Sequence, residues 1–106
     1  MGSPYKHAMD SVTKWGGSCE DYLPIHEFLD STKLSLSTWQ HRAILHNTFG
    51  VGICEKIFGS VITNSEGKIV EVRYIASQHI FDDCKCIPTI QDWLHDLKPK
   101  RFAVNL

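Results

Sequence analysis

Apolar positions recur along this chain with two different periods. From Pro4 the segment PYKHAMDSVTKW sets Tyr5, Ala8, Met9, Val12 and Trp15 three or four residues apart, the mark of a helix with one inward stripe. Pro4 suits a first helical turn, and Gly16-Gly17 ends the element. After a short polar connection, Ser18 to Asp21, the segment YLPIHEFLDSTK repeats the helical spacing through Leu23, Ile25, Phe28 and Leu29, with Pro24 near its start. Leu34 and Leu36 lead into the longest predicted helix, Ser37 to Gly59, whose stripe is Trp39, Ala43, Ile44, Phe49, Ile53, Ile57 and Phe58. Ser37 or Thr38 caps its start and Gly59 its end. Inside it lies Gly50-Val51-Gly52, and each glycine costs about 1 kcal/mol relative to alanine. Such a pair predicts close approach of a neighbouring element, or a bend.

Beyond Gly59 the period shortens. Ser60–Thr63 and Lys68–Val72 are β-branched runs around Asn64-Ser65-Glu66-Gly67, a hairpin signature in which Gly67 supplies a positive φ. Helical spacing returns from Arg73 to Asp83 through Ile75, Ile80 and Phe81. A last short helix, TIQDWLHDL, starts at Thr89 with Asp92 three residues on. The fold class is therefore α+β, mostly α: a small helical domain carrying one β-hairpin. Trp39, Ile44, Ile53, Ile57, Phe58 and Trp93 are the expected core. A chain of 106 residues is one domain, 1–106, with an ordered core over about 4–97 and a flexible basic-then-apolar tail over 98–106.

Composition narrows the function classes. A hydrophobic content of 42% with 22% charged residues excludes wholesale disorder. The formal net charge of −1 gives no electrostatic reason to expect nucleic acid or a membrane surface as partner, and no run is long enough to span a bilayer. Met1-Gly2 is not a lipidation start, because Lys6 stands where Ser or Thr is required, and Gly2-Ser3-Pro4 reads as a candidate cloning scar. Cys84 and Cys86 flank a single lysine, too close for a zinc knuckle, and Cys54 packs as a small hydrophobe. With Cys19 they read as reduced thiols of a cytoplasmic protein.

Six histidines exceed what this length usually carries, and four of them point to chemistry. His26-Glu27-Phe28-Leu29-Asp30 and His79-Ile80-Phe81-Asp82-Asp83 repeat one spacing, which on a helix sets each imidazole on the face of its carboxylate. A metal ion needs neutral imidazole nitrogens and carboxylate oxygens converging at about 2.0–2.2 Å, and such pairs supply them. Alternatively the aspartate accepts the other ring N–H and fixes the tautomer. His41 and His46 are five residues apart and diverge by roughly 140° on a straight helix. Either one is a ligand and the other packs elsewhere, or the helix deforms near the glycines. The candidate ligands are His26, His41, His46, His79 and Asp83, holding a divalent transition metal such as Zn, Fe, Mn, Ni or Co. His7, four residues before Ser11, is a secondary candidate, and His95 beside Asp92 and Asp96 belongs to a solvated face.

The stretches KHAMDSVTKWGG, EDYLPIHEFLDSTK, HRAILH, EKIFGSVITNSEGKIVEVRYIASQHI and IPTIQDWL resemble a family of small, uncharacterised bacterial and bacteriophage proteins classed as a domain of unknown function. The resemblance runs from about His7 to Leu94, with HRAILH and SQHIFDD as its histidine motifs. It implies that His7, His26, His41, His46 and His79, with Asp83, form a shared site, and it implies a phage setting, the host cytoplasm. The chain departs from the pattern at Ser77, where a glutamate is expected, and in having Cys84 and Cys86.

Three functions remain in play. One is a metal-binding protein whose ion, given an open coordination position, activates water for hydrolysis with Glu27 or Asp82 as base. Another is a non-catalytic interaction protein that binds a host or bacterial protein and uses the metal as a staple. The third is a helical domain without metal.

Overall fold

A computed structural model describes residues 3–104; Met1, Gly2, Asn105 and Leu106, which include the Met1-Gly2 start and the end of the expected tail, lie outside it. Helix α1 runs Pro4–Trp15, started by Ser3, whose hydroxyl accepts from the Lys6 backbone N–H, and closed at Gly16 with φ of 81°. Helix α2 runs Cys19–Leu29, beginning three residues before the expected Tyr22 because Asp21 reaches back to accept from the Ser18 N–H at 2.8 Å. Pro24 therefore sits inside α2 and removes one backbone bond there. Short 3-10 turns follow at Ser31–Leu34 and Trp39–His41.

The long helix expected over Ser37–Gly59 is broken in two. Helix α3 covers only Arg42–Leu45, and α4 covers Thr48–Phe58. Asn47 makes the break from both sides. Its amide donates to the carbonyls of Ala43 and Ile44, each at 3.1 Å, while its side-chain oxygen accepts from the Gly50 N–H at 2.8 Å. Gly50 permits the corner, since a Cβ there would lie 1.7 Å from the Leu45 carbonyl oxygen. Close approach and bend, the two readings of the glycine pair, are thus one feature, and it belongs to Gly50.

Strands β1 (Val61–Thr63) and β2 (Ile69–Glu71) pair antiparallel with Val61 opposite Glu71, turning through Asn64–Gly67 as expected. The turn is fastened to the α1–α2 corner: the Asn64 amide donates to Trp15 O and Tyr22 Oη, both at 3.1 Å, and Asp21 accepts from the Ser65 N–H and hydroxyl. Helix α5 (Val72–Cys84) packs against α1, α2 and α4. Helix α6 (Ile90–Leu94) carries the Thr89/Asp92 capping box, and a short exposed α7 (Arg101–Val104) lies in the tail. The architecture is α+β, mostly α. Among the described residues no helix is long and apolar enough to cross a membrane.

The core differs from the expected one. It consists of Ala8, Tyr22, Ile25, Leu29, Leu45, Cys54, Val70, Val72, Ile75, Ala76 and Ile80, whereas Trp39, Ile44 and Ile57 are exposed. A stripe drawn through an unbroken helix loses its phase at the Asn47 corner, so α3 and α4 each turn a different face inward. On α1, Tyr5 and Met9 are exposed as well, and the inward face is His7, Ala8 and Ser11. Cys54 is buried and its thiol is pushed up to about 12 by burial.

Candidate metal centre

Those polar residues on the inward face of α1 belong to a buried cluster that draws side chains from α1, α2, the α3–α4 corner and α5. His7, His26, His41, His46 and His79 are all 2% exposed or less. Asp83, on the last turn of α5, and Asp30, at the C-cap of α2, supply the carboxylates.

Four donor atoms converge. His46 Nε2 lies 2.9 Å from Asp83 Oδ2 and 3.6 Å from Asp30 Oδ1, while His79 Nε2 lies 3.1 Å from Asp30 Oδ1 and 3.5 Å from Asp83 Oδ2. Asp30, His46, His79 and Asp83 each offer one ligand atom within 4.8 Å of the others. Four ligands bonded to one ion at about 2.1 Å form a tetrahedron with edges of about 3.4 Å. The four measured separations fall around that edge, so the donor set fits a single divalent ion. Two carboxylates and two imidazoles also neutralise its charge, which a buried site requires. Mixed nitrogen and oxygen ligation suits Zn, Fe, Mn, Ni or Co.

The i,i+4 spacing works differently in its two copies. His79 and Asp83 come to the same centre, but Asp30 faces His79 rather than His26. His26 stands behind His79: its Nδ1 is 2.9 Å from His79 Nδ1, and its Nε2 is 2.8 Å from Ser11 Oγ. Ser11 Oγ in turn lies 2.6 Å from Gln78 Oε1. His41 is beside the centre, its ring edge-on to His46 with centroids 5.4 Å apart and Nδ1 3.4 Å from Thr32 Oγ1. His41 ends the 3-10 turn and His46 lies at the C-cap of α3, so the two flank this four-residue helix, and the Asn47 corner comes after both. The His7 ring lies against His79, centroids 3.9 Å apart and planes tilted by 30°, with Nε2 3.2 Å from Asp83 Oδ1 and Nδ1 3.5 Å from Asp82 Oδ2. His7, Asp10 and Asp82 form a second, more open group, in which Asp10 is already paired with Lys6 at 2.8 Å. His95 is exposed and outside the cluster.

The electrostatics suit ligation. Burial opposes ionisation of Asp83, yet His46 and His7 beside it hold it far below the usual carboxylate range. Asp30 is likewise lowered against its burial, chiefly by the His79 ring beside it. Burial pushes His79 down although Asp30 opposes this, and burial with the neighbouring His79 and His7 rings takes His26 to about 2. His41 is lowered by burial and by His46. His7 goes the other way: burial lowers it, but Asp83, Asp30 and Asp82 together outweigh that and raise it. Among the described residues, both nitrogens of His7, Asp30 Oδ2, His41 Nε2, His46 Nδ1 and Asp83 Oδ1 are buried without a hydrogen-bond partner. Native interiors rarely leave so many polar atoms orphaned in one place.

Asp30, Ser11 and Gln78 are the residues that the sequence reading left out of the candidate ligand set. Asp30 has the right spacing, but spacing pairs it with His26 on its own helix, whereas the structure places it against His79. Ser11 and His7 carried a weaker signal, two polar residues flanking Ala8 on a helix face.

A small helical domain organised around a buried histidine–aspartate cluster is thus the class that fold and site define. Residues 2–103 match the family described as a domain of unknown function, DUF6915, and the chain belongs to that family. No curated protein and no solved structure matches it.

Proposed function

We propose that this protein is a metal-binding domain in which His46, His79, Asp30 and Asp83 hold one divalent transition metal ion. The observation that carries this reading is the convergence of four buried donor atoms at separations near a tetrahedral edge. Four protein ligands make a closed shell, the arrangement of structural sites, so the ion serves first as a staple between α2, the α3–α4 corner and α5. A domain this small gains much from such a staple.

A second reading, metal-dependent hydrolysis, has one observation in its favour. Asp30 lines a surface cavity of about 420 Å³ together with Pro4, Glu27, Ser31, Lys33 and Leu34. Were Asp30 to yield its place to water, Glu27 at the rim is the available base. Asp82 is placed less well, because its Oδ2 is engaged by Gln78 Nε2, which donates to it at 3.3 Å, and lies against His7 Nδ1 at 3.5 Å.

Elemental analysis of the tag-free protein, followed by titration of the metal-free chain with Zn, Ni, Co, Mn and Fe(II), tests the proposal. One ion per chain is expected, lost in His79→Ala and Asp83→Asn and kept in His95→Ala. Equal, metal-independent behaviour of His79→Ala and His95→Ala would end the metal reading.

A further inference from the structure

The bonds behind His79 have a fixed polarity. Gln78 Nε2 donates to the His7 backbone carbonyl at 3.0 Å and to Asp82 Oδ2 at 3.3 Å. Both are acceptors only, so the amide orientation is set and Oε1 must be the atom facing Ser11. Ser11 has one hydroxyl proton and three candidate acceptors in reach, Gln78 Oε1 at 2.6 Å, His26 Nε2 (if bare) at 2.8 Å and His7 O at 3.2 Å. The shortest contact takes it, since two bare oxygens at that distance would repel. Ser11 Oγ can then only accept from His26 Nε2, which therefore carries a proton. His26 has no carboxylate in hydrogen-bond contact and is fully buried, so it is neutral and its Nδ1 is bare. The 2.9 Å contact between His26 Nδ1 and His79 Nδ1 accordingly takes its proton from His79.

We propose that Gln78 and Ser11 are positioning residues that, through His26, hold the His79 proton on Nδ1 and leave Nε2 bare toward Asp30, Asp83 and His46. The chain of bonds then ends acceptor against acceptor, a lone pair facing two carboxylate oxygens at 3.1 and 3.5 Å. Such an end is unfavourable alone and favourable around a cation. A metal-ligating imidazole generally has its other nitrogen anchored by an acceptor, and loss of that anchor typically costs 10–100-fold in metal affinity. Here the anchor is a histidine whose own tautomer is dictated from α1 and α5. The inference rests on His79 being a ligand, but the tautomer itself can be read without any metal.

The test is nitrogen-15 NMR of the histidine rings in metal-free protein at pH 8, with zinc titrations alongside. His26 is expected to be protonated at Nε2 and bare at Nδ1. In Ser11→Ala that preference should scramble and the zinc Kd should rise by at least about twofold, as the competent fraction falls. In Gln78→Leu the Ser11 hydroxyl is freed to donate to His26 Nε2, so the His26 proton should move to Nδ1. A wild-type His26 protonated at Nδ1 overturns the proposal even if both variants fail to fold. So does a Ser11→Ala protein with unchanged tautomer and unchanged zinc affinity. If the tautomers are as assigned and respond to the variants but no ion is taken up by the wild type, the metal reading falls and the tautomer assignment stands.

Discussion

Gly50→Ala and Gly52→Ala are the same substitution, two residues apart in one helix, and the structure gives them opposite signs. A Cβ at Gly52 would meet nothing within 4 Å, so alanine there should gain up to about 1 kcal/mol from helix propensity. At Gly50 it would lie 1.7 Å from the Leu45 carbonyl oxygen, and α3 and α4 must part by about as much again to restore ordinary contact. The obstacle is backbone and cannot rotate away. Overpacking costs typically 1–3 kcal/mol, and a rigid obstacle puts Gly50→Ala near the top of that range. After the propensity gain a net loss of about 1–2 kcal/mol remains, or about 4–16 °C in Tm for a domain of this size. His46 follows Leu45 directly, so the same shift should displace its Nε2 from Asp83 and weaken metal binding. Urea melts of the two metal-free variants check the signs, and zinc titration checks the coupling. A Gly50→Ala protein as stable as wild type, or the same sign for both variants, would refute the account of the corner.

Acid should destabilise the metal-free protein from the histidine range downward. His26 is held neutral to about 2 in the fold but titrates near 6.5 when unfolded, so below pH 6.5 the unfolded chain binds the extra proton and stability falls by about 1.4 kcal/mol per pH unit per such group. His79 and His41, also lowered, add to the fall, while the raised His7 is protonated in both states below its unfolded value and adds little slope there; urea melts between pH 6 and 4 should show a slope that His26→Gln reduces by about one proton, and an unchanged slope would count against a neutral His26. Ile75→Ala should cost about 2–5 kcal/mol and Ile57→Ala less than about 1, because Ile75 is fully buried and Ile57 is 54% exposed. Comparable denaturation midpoints for these two variants would contradict the described core.

Local chemistry made much of the fold legible. Helix α1, the Asn64–Gly67 turn and the Thr89 cap each follow from residues within four positions of one another. The Asn47 corner does not, because it depends on one side chain bonding two helices and on a backbone contact that becomes visible only when α3 has turned. The same holds at the centre. His79 and Asp83 are readable from helical spacing, whereas the deformation expected near the glycines falls at Asn47, beyond both His41 and His46. Spacing assigns Asp30 to His26 because it sees only neighbours on one helix, while the actual partner, His79, is 49 residues away. Ser11 gives only a weak signal and Gln78 none, since a serine or glutamine on a helix normally faces water.

The centre takes its donors from places far apart in the chain: 49 residues separate Asp30 from His79 and 37 separate His46 from Asp83. Every one of these contacts closes a long loop, whose entropy must be overcome before the contact gives anything back. The α1–α2 and β1–β2 units, by contrast, join neighbours in sequence and can form early. On these grounds the histidine–aspartate cluster is expected to assemble late, after the hairpin has turned α5 back toward α2. Capture of an ion at this place would mark a chain that has finished folding, and a chain cut anywhere between Asp30 and Asp83 would lose it.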